Sequence, residues 1–120
     1  MNPKILELIK LGAVRTQEAR LRWHRLDDDL YYTTIGPGML QIGRTELPRW
    51  DEDGNNQGQH HYFELWVMTP SGSTLEKVKF TKGIAGYSDA NELFREARRS
   101  SAAVGGVDTV HTMITALLKL

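Results

Sequence analysis

Residues 61–80 read HYFELWVMTPSGSTLEKVKF, and their pattern decides the fold. Two runs rich in β-branched and aromatic side chains flank Pro70-Ser71-Gly72, in which proline presets φ and glycine tolerates positive φ. The spacing predicts a hairpin with strands over 61–69 and 74–80. Because side chains alternate along a strand, His61, Phe63, Leu65 and Val67 share one face, and Tyr62, Glu64, Trp66 and Met68 share the other. Both faces are partly apolar.

Upstream, Leu30–Ile35 is a β-rich run with two tyrosines and two threonines, and Gly36-Pro37-Gly38 turns it into a further strand over 39–43. Asp27-Asp28-Asp29 is a turn-forming run. Leu21, Trp23 and Arg25 alternate with Arg22 and His24, which suits a strand, while Ala19, Trp23 and Leu26 leave a continuing helix open as the alternative. The strand is preferred, giving a five-stranded antiparallel meander. Residues 45–59, TELPRWDEDGNNQGQ, are polar and without period, and read as a long loop.

Helical patterns flank the strands. Asn2-Pro3 is a good opening, and Ile5, Leu8, Ile9 and Gly12 continue a helix to about residue 18, with Gly12 either weakening it or ending it. Asp89 with Glu92 resembles a capping box for a helix to about residue 101 whose inner stripe is Leu93, Phe94 and Ala97. Asp108 is placed as the cap of a last helix in which Val110, Met113, Ile114, Leu117 and Leu118 form an amphipathic stripe expected in the core. The order of helix, sheet and two helices predicts one α+β domain spanning residues 1–120.

A chain of 120 residues holds one core. Cysteine is absent, which excludes disulfides and thiol chemistry. Fifteen basic residues balance fifteen acidic ones, which argues against a dedicated nucleic-acid binder, since that affinity rests on phosphate neutralisation. Lys4, Glu7 and Lys10 interrupt the first apolar stretch, so neither a signal peptide nor a membrane span is expected, and the chain reads as cytoplasmic. Charge is segregated: residues 1–25 hold six basic residues against two acids, and residues 26–66 hold eight acids against Arg44 and Arg49. These stretches are read as solvated faces.

Leu21-Arg22-Trp23 after an N-terminal helix, Glu92 to Ser100, and Val107-Asp108 with Leu117-Leu118 resemble a group of small bacterial domains. The resemblance covers most of the chain. It implies a helix leading into a tryptophan, a strand meander and a closing helix, together with a bacterial or phage origin. It carries over no catalytic motif.

The candidate chemical sites are weak. Asp51, Asp53 and Asn55 alternate as in a calcium loop, but Asn56 stands where the sharp turn needs glycine and Tyr62 where a bidentate glutamate is needed. His60 and His61 are adjacent in an expected strand and therefore cannot chelate together, and neither His24 nor His111 has a partner at helical spacing. No metal and no cofactor is expected. Asp27 to Asp29 are the densest carboxylates and would carry a hydrolase reading, but no nucleophile elbow, Walker loop or dinucleotide fingerprint accompanies them, and the chain is read as non-catalytic.

The most informative surface is the second sheet face. If Phe63, Leu65 and Val67 join Leu40, Ile42 and Ile35 beneath the helices, then Tyr32, Tyr62, Trp66 and Met68 gather opposite them, with the composition of an interaction surface. The alternative is that the N-terminal helix buries that face. The functional expectation is an interaction or accessory domain that forms a homo-oligomer or docks a protein partner there. The second expectation is a small nucleotide-like ligand stacked on those rings, with Arg22, or Arg20 or Arg25, contacting phosphate.

Overall fold

The computed structural model describes residues 3–50, 56–105 and 107–120, and within them the side chains of 3–46, 61–102 and 113–120. Five strands follow the first helix, α1 (Pro3–Gln17): β1 (His24–Asp27), β2 (Leu30–Ile35), β3 (Gly38–Trp50), β4 (Asn56–Met68) and β5 (Thr74–Phe80). Two helices, α2 (Tyr87–Gly105) and α3 (Val107–Leu118), complete the chain. The strands pair antiparallel in the order β1-β2-β3-β4-β5, the expected meander in an α+β arrangement. At the turn between β4 and β5, the Thr69 N–H donates to the Ser73 carbonyl (2.8 Å) and Gly72 takes a φ of 94°.

Alternation places Tyr31, Thr33, Leu40, Ile42, Phe63, Leu65 and Phe80 on one sheet face, all buried, where α2 covers them with Leu93, Phe94 and Ala97. Phe94 meets Tyr31 edge-on at 5.6 Å between ring centroids and Phe63 at 5.4 Å. Each such large side chain, fully buried, contributes about 1.5–3 kcal/mol. The helix α1 packs beside α2 through Ile5, Ile9, Ala13 and Gly12, where a Cβ on Gly12 would just touch Leu93. Gly12 therefore serves close helix approach and does not end the helix.

Trp23, fully buried just before β1, ties the helices to the sheet. Its backbone N–H donates to the Ser100 hydroxyl (3.1 Å), and its indole N–H donates to the Thr16 hydroxyl (2.9 Å), which in turn donates to the Gly12 carbonyl (2.7 Å). Of the ambiguous residues 19–26 only 24–26 are strand: the strand expected from Leu21 begins at His24, and no helix continues, because α1 stops at Gln17 and Ala19 turns left-handed with a φ of 58°.

Several expectations are corrected. Residues 45–50 and 56–59 are strand and not loop: β3 and β4 stay paired from Thr45↔Tyr62 to Trp50↔Asn56, with a register shift between Pro48 and Trp50, next to a residue that lacks a donor and suits an irregularity. The pattern was hidden because β2 ends opposite Gly43 and β5 opposite Phe63, so this two-stranded ribbon has no third strand to impose a core side. Asp51, Asp53 and Asn55 lie outside the described residues. The second helix starts at Tyr87, so Asp89 lies in its first turn, where its charge suits the helix dipole, and Asp89 is not the cap. Ile35 sits at the end of the sheet, 36 % exposed, outside the core.

The largest correction concerns α3. Met113, Ile114, Leu117 and Leu118 are 60, 51, 65 and 81 % exposed, so the stripe expected in the core faces solvent. Val110 lies outside the described side chains. α3 begins at Val107, so Asp108 falls within its first turn and does not precede it.

Candidate interaction surfaces

The register fixes the geometry of the open sheet face. One row runs Tyr32, Gln41, Trp66, Lys77 across β2 to β5, and Met68 sits beside Met39 in the next row. Tyr32 and Trp66 are thus two strands apart, roughly 10 Å, and Tyr62 is four residues from Trp66, about 13 Å along β4. Tyr32, Tyr62, Trp66 and Met68 share this face and are half-buried, but they do not converge on one point.

Their neighbours explain the partial burial. Lys77 Nζ lies 5.5 Å from the Trp66 ring centroid and pairs with Glu64 at 3.0 Å, while Lys79 Nζ lies 4.0 Å over Tyr62. Tyr32 stacks on His24 at 5.1 Å. Trp66 and Leu30 close over Gly43, whose missing side chain makes room: a Cβ there would sit 2.9 Å from Leu30 and 3.4 Å from Trp66. Lysine stems laid on aromatic faces stabilise an exposed sheet surface locally. Arg22 stands apart from this set, ahead of buried Trp23, with its carbonyl accepting from the Thr33 hydroxyl at 2.6 Å.

The aspartate run forms the turn between β1 and β2 and lines a depression of about 310 Å³ with Leu30, Arg44, Thr45 and Trp66. Each carboxylate there is engaged. Asp27 accepts from the Asp28 backbone N–H at 2.8 Å, Asp28 pairs with Arg25, and Asp29 takes Arg44 at 3.1 Å and Arg98 at 3.0 Å. Both of the last two guanidinium groups lie over the Phe94 ring, at 5.0 and 5.3 Å. Arg98 also donates to the Tyr31 hydroxyl, and that bond, aided by Asp29 and Asp28 against some desolvation, raises its pKa further above the ordinary arginine value. Arg98 stays charged at every physiological pH. The cluster pins α2 to the β1–β2 turn.

At the other end of α2, the Tyr87 hydroxyl and His61 Nε2 are hydrogen-bonded at 2.6 Å, and the two rings stack at 6.0 Å. His61 is thereby an aromatic-core partner. Among the described residues no group of three histidine, aspartate or glutamate side chains is placed to hold a metal.

Two apolar surfaces escaped the sequence reading. One is the α3 stripe, legible as amphipathic but assigned to the core. The other lies on the outer side of α1, where Leu8, Leu11, Gly12 and Leu21 meet Ile35 in a groove of about 210 Å³ rimmed by Arg15 and Arg20. Leu11 there is 49 % exposed, and Val14, further round α1, is 46 % exposed. The available signal was that Leu11 and Val14 fall outside the face of α1 that holds Ile5, Ile9 and Ala13.

No protein family, curated protein or solved structure matches this chain. Among the described residues no helix is long and apolar enough to cross a membrane.

Proposed function

We propose that this chain is a non-catalytic interaction module that acts as a homo-oligomer in a reducing compartment. The observation that carries the reading is the uncovered stripe of α3, with Met113, Ile114, Leu117 and Leu118 each more than half exposed. A helix of 12 residues is marginal in water unless its apolar face is buried, so this one calls for a partner. The stripe carries no charge that would select an acidic or basic surface, and a chain of zero net charge does not repel its own copies.

The aromatic sheet face is the weaker candidate for the contact, since Lys77 and Lys79 already lie over Trp66 and Tyr62. A nucleotide-like ligand gains little support: Arg44 and Arg98, the cations nearest the larger depression, are both paired with Asp29.

Sedimentation velocity over a wide concentration range tests the reading. The native chain should associate, and Leu117→Lys should remain folded by circular dichroism while sedimenting as a monomer. A native chain that stays monomeric up to about 100 μM, on the order of 5–6 kcal/mol of association at most, would remove the proposal.

A further inference from the structure

We draw no further inference here: the strongest candidate, the apolar groove between α1 and the β2–β3 turn lined by Leu8, Leu11, Leu21 and Ile35, carries nothing because nothing in the structure shows what covers it.

Discussion

Ala19 ends α1 in the left-handed region, with the Arg20 N–H bonded to the Arg15 carbonyl (2.9 Å) and the Ala19 N–H to the Thr16 carbonyl (3.0 Å). This is the double bond pattern of a glycine-type helix stop, with a side chain where glycine is usual. An alanine held there costs roughly 1 kcal/mol relative to glycine, which has no Cβ to clash. Ala19 is exposed, so removing its methyl sacrifices no packing. Ala19→Gly should therefore raise the unfolding free energy by about 0.5–1 kcal/mol despite the greater freedom of glycine in the unfolded chain. Urea denaturation measures it, and a loss of stability would show that the stop is held by something other than backbone geometry. Nothing in the residue pattern signals this cost, because an alanine between Glu18 and Arg20 suits a helix equally well.

Secondary elements were legible where a core imposed a period. Phe63 and Leu65 against Leu40 and Ile42, and Leu93, Phe94 and Ala97 opposite them, could be read from alternation and helical spacing because each is buried. The ribbon of 45–50 and 56–59 could not, since no third strand selects a face there. α3 was misplaced for a different reason: an amphipathic pattern shows that a stripe wants burial but not whether its own chain supplies it. The distinction is measurable through two variants in parallel. Leu117→Ala, 65 % exposed, should change the stability of the dilute monomer by less than about 0.5 kcal/mol yet weaken association. Trp66→Ala should do the reverse, losing about 1–2 kcal/mol of folding stability through its packing over Gly43 and its contact with Lys77, less than the 3–5 kcal/mol of a full core truncation, with association unchanged. If Trp66→Ala abolishes association instead, the sheet face is the interface and α3 is not.

At the scale of the whole molecule, the Cα radius of gyration is 16.8 Å and the principal extents are 62 × 33 × 27 Å. A compact chain of 120 residues would have a radius of about 13.6 Å. The excess has two structural sources. The β3–β4 pair runs seven residues past Gly43, about 24 Å of ribbon at strand rise, and α3 adds a helix with an uncovered end. Among the described side chains neither element contributes to the buried core, and a bare two-stranded ribbon is marginal in water. Small-angle X-ray scattering on Leu117→Lys, which isolates the single copy, should give a radius near 17 Å and an elongated distance distribution. A value near 14 Å would mean that the ribbon and α3 fold back onto the body in solution, covering the α1 groove from within one chain. The apolar stripe would then be an ordinary part of a monomer's core. A radius near 17 Å for the variant, with the native chain giving a larger particle, is the pattern that association through the α3 stripe requires.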